Sequence, residues 1–243
     1  MMTAAVLEAA DVEMTLGRGA ACVQALKGVS ISMVAGQLTL LMGPSGSGKS
    51  TLLSILGCIL KQTKGSVRIA GSSTDLMNSE QLAEVRRRHI GFVFQSYNLF
   101  PGLSALENVK TSLAIRARNN ADGSRVARDA LESVGLGHRF RSLPGQLSGG
   151  EQQRVAIARA IVSKPIIIFA DEPTASLDAA CGRNVMEQLH RHAKVAGCAV
   201  LVVSHDARAM PFADRVITME DGRILSDASN KTALQSRGQL AHA

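Results

Sequence analysis

Residues 43–51, which read Gly-Pro-Ser-Gly-Ser-Gly-Lys-Ser-Thr, constrain the fold of this 243-residue chain more than any other feature. Their first eight positions fit the pattern G-x-x-x-x-G-K-[ST], in which glycines let the backbone curl so that its N–H groups point at phosphate oxygens. The predicted strand 36–42 leads into this loop, and apolar residues at helical spacing follow it from Lys49. A strand, a phosphate-binding loop and a helix in this order predict an α/β fold that binds a nucleoside triphosphate.

The residue types of this loop have distinct chemical uses. The helix that starts at Lys49 adds its positive N-terminal dipole to the site. Lys49 is predicted to reach the β- and γ-phosphates, and the hydroxyl of Ser50 is predicted to hold Mg²⁺. The predicted triphosphate-binding set comprises Gly43, Pro44, Ser45, Gly46, Ser47, Gly48, Lys49, Ser50 and Thr51.

The rest of the chain alternates short apolar runs with helical patterns, which favours a parallel α/β sheet. Predicted strands cover residues 29–34, 36–42, 65–70, 90–94, 166–170 and 199–204. Predicted helices cover residues 49–60, 80–89, 127–134, 148–161, 181–196 and 207–213, and a hairpin covers residues 215–225. Turn residues predict a loop at 119–123.

Two carboxylates, Asp171 and Glu172, follow the apolar run 166–170. Because this run predicts a buried strand, Asp171 stands where the strand ends beside the phosphate loop. There it can hold Mg²⁺ through water, as hard oxygen ligands do. Either acid alone is better explained as a solvated strand end. Their order with Pro173 and the run 176–178, Ser-Leu-Asp, favours a functional site.

Residues 147–152 read Leu-Ser-Gly-Gly-Glu-Gln and open a predicted helix. The hydroxyl and N–H groups of Ser148, Gly149 and Gly150 form a second anion site, because a helix N-terminus attracts negative charge. This hexapeptide, placed shortly before a strand that ends in Asp-Glu, resembles the signature of the ATP-binding cassette (ABC) family. Together with the phosphate loop, the resemblance covers nearly the whole chain.

The resemblance implies a fold and an activity. The fold is an α/β P-loop NTPase (RecA-like) core with an N-terminal antiparallel β subdomain and an inserted helical subdomain. One ATPase domain is expected over residues 1–243, with the core at about 1–95 and 152–225, the helical subdomain at about 96–151 and a polar tail at 226–243. The implied cofactors are ATP and Mg²⁺, and the implied activity is ATP hydrolysis coupled to transport.

The resemblance also assigns catalytic roles to three residues. Glu172 matches the glutamate that polarises the water attacking the γ-phosphate, and such a base must lie within hydrogen-bond reach of that water. His205, which follows the run 199–204, matches the histidine that contacts the γ-phosphate. Gln95 closes the predicted strand 90–94 and matches the glutamine that senses Mg²⁺ and water. The implied Mg²⁺ set is therefore Ser50, Gln95 and Asp171.

A further implication of the resemblance is that one chain is catalytically incomplete. In the family, the signature helix faces the ATP held by the other subunit, so two copies enclose two ATP molecules head to tail. The residues expected to contact the partner's nucleotide are Ser148, Gly149, Gly150 and Asp178.

The sequence departs from the family pattern at the adenine site. Family members usually place an aromatic residue before the first core strand, where it stacks on adenine. The alignment through Gly19 and residues 25–28 puts Leu16 at that position. A leucine covers a ring face by dispersion without aromatic stacking, which puts adenine selectivity in doubt but leaves phosphate chemistry unaffected.

Four of the seven aromatic residues cluster around Gln95, at positions 92, 94, 97 and 100. Phe92 and Phe94 share one strand face and are expected to be core. Tyr97 and Phe100 lie in a predicted loop, where a protein interface is favoured over the core. In the family this region forms a groove for a short helix of the membrane subunit.

The expected partners also follow from the resemblance. Residues 94–101, 105–109 and 219–223 look like the subfamily that serves lipoprotein release, macrolide efflux and glycolipid export. A cassette without an apolar run of 18 residues implies a separate membrane permease, a second ATPase chain and, through the permease, a periplasmic adaptor as an optional partner. The expected location is cytoplasmic, on the inner face of the plasma membrane. The alternative is a cell-division or regulatory ABC ATPase that signals to a membrane protein without transport.

The charge and the cysteines exclude other classes. The net charge is +7, but residues 86–89 are the only dense basic run, and no aromatic-rich nucleic-acid motif accompanies it. A solvated helix face or a face near acidic lipid headgroups explains the run, and no nucleic-acid partner is expected. A repair ATPase needs coiled coils or zinc modules between residues 50 and 148, which hold neither heptads nor cysteine clusters. Four scattered cysteines are expected to be free and buried.

Overall fold

Two β-sheets pack on opposite sides of the helix that follows the phosphate loop. A computed structural model describes residues 5–17, 22–116 and 122–229. In spatial order, the strands of the larger sheet are β10 (Arg223–Ser229), β9 (Arg215–Glu220), β3 (Leu38–Met42), β8 (Ala199–Val203), β7 (Ile167–Asp171) and β6 (Ile90–Val93). In spatial order, those of the smaller sheet are β2 (Val23–Val34), β1 (Ala5–Leu16), β4 (Lys64–Ile69) and β5 (Ser72–Ser73). The helix α1, Lys49–Leu56, contacts strands of both sheets.

The larger sheet is parallel except at one edge. Every residue of β3 and β8 is buried, as expected for central parallel strands covered on both faces. Only β10 is antiparallel, because a tight hairpin joins it to β9.

The smaller sheet is antiparallel and contains two strands that the sequence did not predict, the long β1 and the two-residue β5. The pairing of β1 with β2 shifts register at several points, and Asp11 has a positive φ of 49°. These irregularities break the strict alternation by which a strand is recognised in sequence.

The described part of the chain also contains six α-helices. They are α1, α2 (Ser79–His89), α3 (Ala105–Arg116), α4 (Gly123–Ser133), α5 (Gly149–Ile161) and α6 (Ala179–Ala196). The prediction that the first helix runs to residue 60 was wrong, since Cys58 adopts a left-handed conformation and Ile59 and Leu60 are exposed. Residues 207–213 were predicted as a short helix, and Ala207–Phe212 form a 3₁₀ helix.

The helices α3 and α4 form an insertion between β6 and β7, and both pack against α5. One apolar core lies between α5, α6 and one face of the larger sheet, and it extends into α3 and α4. A second core surrounds α1 between the two sheets. Residues 119–121 of the predicted loop lie outside the described residues.

The C-terminal strand β10 continues to Ser229, four residues into the segment predicted as a polar tail. Residues 230–243 lie outside the described residues. Among the described helices, none combines the length and apolarity needed to cross a membrane.

The basic run and the cysteines have ordinary surroundings. Arg87 and Arg88 pair with Glu84 within α2. All four cysteines are free, as predicted, but only Cys58 and Cys198 are buried, and burial raises the pKa of both thiols to about 11. The prediction of burial was wrong for Cys22, which is exposed, and Cys181 is half-buried.

Candidate functional site

The phosphate loop connects β3 to α1 through backbone conformations that only glycine fits. Gly43 has a φ of 149°, and a Cβ atom there would collide with the carbonyl of Met219. Gly48 has a φ of 96°, and a Cβ atom there would lie 2.6 Å from the carbonyl oxygen of Ala25. Both positions combine a left-handed backbone with close approach, so the loop depends on glycine for its shape.

Lys49 is buried inside this loop. Its ammonium Nζ donates to the carbonyl oxygens of Gly43 at 2.9 Å and Pro44 at 2.7 Å. These bonds hold the ammonium at the centre of the loop. The helix α1 begins after Gly48, and no side chain caps its first turn. An uncapped helix N-terminus beside a buried cation fits the phosphates of a nucleotide.

Ser50 and Asp171 bring hard oxygen atoms to the edge of the loop. The Ser50 hydroxyl donates to Oδ1 of Asp171 at 3.4 Å. Burial raises the pKa of the Asp171 carboxyl, and the neighbouring Glu172 raises it further, while Ser50 and Lys49 oppose these effects. One hydroxyl and one carboxylate suit Mg²⁺, which usually keeps waters and takes phosphate oxygens. Within the described residues, no group of three or more His, Cys, Asp and Glu could form a dedicated metal cage.

Glu172 and His205 meet at the carboxyl ends of adjacent parallel strands. Asp171 of β7 pairs with Val203 of β8, so the residues that follow both strands lie side by side. Nδ1 of His205 lies 2.8 Å from Oε1 of Glu172. The Glu172 side chain is mostly buried, whereas that of His205 is largely exposed.

One open cavity of about 800 Å³ brings most of the predicted nucleotide residues together. The phosphate loop, Gln95, Glu172 and His205 line this cavity. Leu16 and Val23, which are register partners on β1 and β2, line it as well. Leu16 is 40% exposed, so its aliphatic face is open to a base. The predicted residues that line the cavity are Leu16, Ser45, Gly46, Gly48, Lys49, Ser50, Thr51, Gln95, Glu172 and His205.

The signature residues lie on a different surface. Ser148 is the N-cap of α5; its hydroxyl accepts from the N–H of Glu151, and the Glu151 carboxylate accepts from the N–H of Ser148. Asp178 caps α6 by accepting from the N–H of Cys181 at 2.9 Å, and backbone hydrogen bonding lowers the pKa of its carboxyl. Ser148, Gly149, Gly150 and Asp178 are not among the described residues that line the nucleotide cavity.

The loop after Gln95 is fixed by two polar side chains, the half-buried Arg159 and the buried Asn108. Arg159 of α5 donates to the carbonyl oxygens of Tyr97 at 2.8 Å and Asn98 at 2.5 Å, and both of these residues have positive φ. Burial lowers the pKa of the Arg159 guanidinium. The fully buried Asn108 accepts from the N–H of Phe100 and donates to the Phe100 carbonyl. The loop is therefore presented in one shape.

The aromatic side chains around this loop differ in exposure. Phe92 and Phe94 stack with ring centroids 5.5 Å apart and are half-buried. Tyr97 is also half-buried, with its hydroxyl 2.9 Å from the position of a Cβ on Gly149. Phe100 is 55% exposed. The Tyr97 side chain thus lies against the start of the signature helix α5, whereas the Phe100 side chain is exposed to solvent.

Sequence reasoning missed three residues that shape the site: Asn108, Gln153 and Arg159. Gln153 is fully buried, and its amide donates to the carbonyl of Pro173 at 2.7 Å, next to Glu172. Polar residues in a helix ordinarily indicate a solvated face. One feature of the sequence could have identified Gln153 and Arg159. Both lie among the apolar residues of α5, six of which are fully or nearly fully buried.

Comparison with known proteins places this geometry in a family. The sequence model described as ABC transporter matches residues 26–175. The lipoprotein-releasing system ATP-binding protein LolD of Geobacter metallireducens is 42% identical over 91% of this chain and 98% of its own length. The macrolide export ATP-binding/permease protein MacB of Hyphomonas neptunium is 40% identical over 96% of this chain, which spans 36% of MacB.

A solved structure supports the same placement. The ATP-binding cassette MJ0796 of Methanocaldococcus jannaschii, a dimer in a post-hydrolysis state bound to ADP and Pi, superposes with a TM-score of 0.85. It is 40% identical, and the match covers 92% of this chain and 98% of that one.

The chain belongs to the ABC transporter family. It is an ATP-binding subunit of such a transporter, an ATPase that uses ATP and Mg²⁺. The predicted family and the predicted fold, a P-loop NTPase core with an antiparallel β subdomain, are confirmed.

Proposed function

We propose that this chain drives a separate membrane permease of the lipoprotein-release or export type, from the cytoplasmic face of the membrane. Support comes from the similarity to LolD, nearly all of whose length the chain covers, and to the ATP-binding part of MacB. The cycle transmits the movement of the ATPase across the membrane. A periplasmic adaptor joins the assembly through the permease.

The observation that carries this proposal is the separation of two anion-binding helix tips. The tip of α1 opens into the nucleotide cavity, whereas the tip of α5 lies on another surface with Ser148 exposed. Within the described part of a single chain, the two tips do not line the same cavity. Two copies related head to tail can bring both tips to one nucleotide, and MJ0796 is a dimer of this family. ATP therefore binds between two subunits, with Ser148, Gly149, Gly150 and Asp178 supplied by the partner.

Hydrolysis uses the pair at the ends of β7 and β8. Glu172 accepts a proton from a water molecule while the oxygen of that water bonds to the γ-phosphorus. At the same time, the bond between the γ-phosphorus and the oxygen that stays with ADP breaks. One carboxylate oxygen of Glu172 is engaged by His205, which leaves the other for water. His205 and Gln95 line the same cavity and contact the γ-phosphate and the attacking water. Ser50, Asp171 and Gln95 would hold Mg²⁺, which would neutralise part of the charge of the phosphates.

Phe100 provides the contact with the permease. Its exposed ring stands on a loop that Arg159 and Asn108 hold in one shape, and exposed aromatic side chains in fixed positions are typical interface anchors. The half-buried Tyr97, on the same loop, adds its exposed part to this contact. Since this loop begins at Gln95, permease contact and the nucleotide cavity share one segment.

Co-purification in mild detergent tests the proposal. Tagged Glu172→Gln chain, expressed in its native host with ATP present, is expected to retain a multi-helix membrane protein with a large periplasmic domain. The double variant Tyr97→Ala with Phe100→Ala is expected to keep basal hydrolysis and lose that protein. Recovery of a membrane protein bound to a cell-wall hydrolase instead would favour the signalling alternative. Full retention by the double variant would return both side chains to a packing role.

A further inference from the structure

Gln153 is a fully buried polar side chain whose only described partner lies beside the end of β7. Its Nε2 donates to the carbonyl of Pro173 at 2.7 Å. A carbonyl oxygen only accepts, so the amide nitrogen must be the atom that faces Pro173. The other amide atom, Oε1, is buried without a hydrogen-bond partner in the described part of the chain. Because an unpaired buried oxygen is unfavourable, packing alone would favour Leu or Met here. The bond to Pro173 is the feature that needs glutamine.

This bond acts on a strained piece of backbone. Glu172, the residue before Pro173, has a φ of 47°, which residues other than glycine seldom adopt unless their surroundings enforce it. Its N–H donates to the carbonyl of Val203 at 2.9 Å, and its carbonyl accepts from the N–H of Ala175 at 3.2 Å. Gln153 holds the carbonyl of the next residue, Pro173. Proline has no N–H, so it cannot donate a backbone hydrogen bond that would fix its position. The turn is therefore held by β8 on one side and by α5 on the other.

The helix that carries Gln153 also carries the signature residues. Ser148 is the N-cap of α5, five residues before Gln153 and about 7.5 Å from it along the axis. The first turn of α5 packs against α6, since Sγ of Cys181 lies 3.0 Å from the position of a Cβ on Gly150. The tip of α5, the start of α6 and the turn after Glu172 therefore form one packed unit.

We propose that Gln153 is a positioning residue that couples the two ATP sites of the paired subunits. Its bond to Pro173 ties the backbone turn of Glu172 to the helix whose tip contacts the nucleotide of the partner. Contact of Ser148 with the nucleotide of the partner fixes the position of α5. Through the bond from Gln153 to Pro173, the fixed helix then orients Glu172. This inference rests on the proposed function, because it takes Glu172 as the base and Ser148 as the contact made in trans.

The variant Gln153→Met tests the coupling, because it keeps the volume of the side chain and removes the donor. Steady-state hydrolysis by the full chain is measured over a range of ATP concentrations. We expect kcat to fall at least tenfold and the Hill coefficient to fall toward 1. The Kd for ATP, measured by calorimetry without Mg²⁺, is expected to stay within twofold, since the phosphate loop is unchanged. Unchanged kcat and Hill coefficient would overturn the proposal.

Gln188→Met is the matched control. Gln188 is a half-buried glutamine on α6 whose amide donates to Asn184 and to the carbonyl of Val134, outside the nucleotide cavity. All three parameters are expected to stay within twofold. A loss of kcat in the control equal to that in Gln153→Met would reduce the effect to general destabilisation and overturn the positioning role.

Gln153→Glu covers the case in which Gln153→Met does not fold at the assay temperature. A neutral carboxylic acid can donate to the Pro173 carbonyl, whereas an ionised carboxylate cannot. The ratio of variant to wild-type kcat is therefore expected to fall as the pH rises from 5.5 to 8.5. A ratio that does not change with pH would overturn the proposal.

The coupling and the proposed function fail differently. Loss of turnover in Glu172→Gln together with normal turnover in Gln153→Met rejects the coupling alone. Normal turnover in Glu172→Gln rejects the assigned base, and with it the coupling that depends on it.

Discussion

The N-termini of α1 and α5 both carry the partial positive charge of a helix dipole, which attracts anions, but they are built differently. The tip of α1 starts after Gly48 with no side-chain cap, and the ammonium of Lys49 is fixed beside it on two carbonyl oxygens. The tip of α5 starts after Ser148, which forms a reciprocal capping box with Glu151. The first tip is open and has its own cation, whereas the second is satisfied within its own chain.

Because of this difference, the α1 tip is suited to binding free ATP, and the α5 tip is suited to contacting a nucleotide that is already bound. The α1 tip has free N–H groups and a positive charge, so it can bind the phosphates of ATP alone. At the α5 tip, the Ser148 hydroxyl accepts a bond from Glu151, so its proton remains free to donate to an anion without breaking the cap. The guanidinium of Arg139 pairs with Glu151 in the first turn of α5, so it does not give this tip a free positive charge. The tip is therefore suited to a nucleotide that another subunit already holds.

Removing the proposed base should give the largest effect and leave both tips intact. Glu172→Gln keeps the shape of the side chain but cannot accept a proton, so kcat is expected to fall about 10³-fold. ATP affinity should stay within twofold, and the ATP-bound dimer should accumulate in light scattering. The control is Glu220→Gln at an exposed strand end of β9. Near-normal turnover of Glu172→Gln with purified permease would contradict the assignment.

Disabling the α1 tip should abolish the function of both tips. Lys49→Ala removes the buried ammonium and the charge-assisted bonds it would make to phosphate, at a cost of about 3 kcal/mol or roughly 100-fold in Kd. No ATP binding is expected in calorimetry at micromolar protein, and consequently no dimer is expected. Lys61→Ala, at an exposed lysine, should bind normally. A Kd for Lys49→Ala within threefold of wild type would show that the loop binds without its cation.

The two tips were predictable from sequence to different degrees. The α1 tip is a local object, because the loop, the strand before it and the helix after it are contiguous, and the glycine and lysine positions appear in residues 43–51. The α5 tip was recognisable as a helix start, but only the family resemblance, and not the local residue pattern, indicated that Ser148 lies outside the nucleotide cavity of its own chain. That fact depends on how the insertion packs against the sheet.

Contacts between distant residues were beyond sequence reasoning. The pairing of Glu172 with His205 spans 33 positions and depends on the adjacency of β7 and β8. The bond from Gln153 to Pro173 depends on the burial of a glutamine that a helical pattern would place in solvent. Strand β1 was missed because its register shifts, imposed by two neighbouring strands, disrupt the alternation. Local chemistry is readable from sequence, whereas the geometry that combines it is set by packing.

Disabling the α5 tip should prevent dimerisation, and with it hydrolysis, but should leave ATP binding by the single chain intact. Ser148→Arg places a long side chain between the tip and the nucleotide of the partner and removes the cap. In a Glu172→Gln background, the fraction of dimer with saturating ATP is expected to fall more than tenfold, while the Kd of the monomer stays within twofold of the parent. Ser226→Arg adds the same bulk and charge on the exposed strand β10 and should dimerise normally. Equal dimerisation of both variants would place Ser148 away from the subunit boundary.

The smallest effect should come from the partner of Ser148 in the capping box. Glu151→Gln keeps an acceptor for the N–H of Ser148, so the cap survives and only the charge and the ion pair with Arg139 are lost. The expected loss of unfolding free energy at pH 7 is about 0.5 kcal/mol, and dimerisation should not change.

The backbone N–H of Ser148 holds the pKa of Glu151 below its ordinary value, with Arg139 adding to the effect. This contribution to stability is therefore present above the pKa of the unfolded chain and is lost as the pH falls through the folded pKa. The difference between wild type and variant in urea unfolding should shrink when the pH is lowered from 7 to about 4. A difference that grows on acidification would show that the charge of Glu151 opposes the cap.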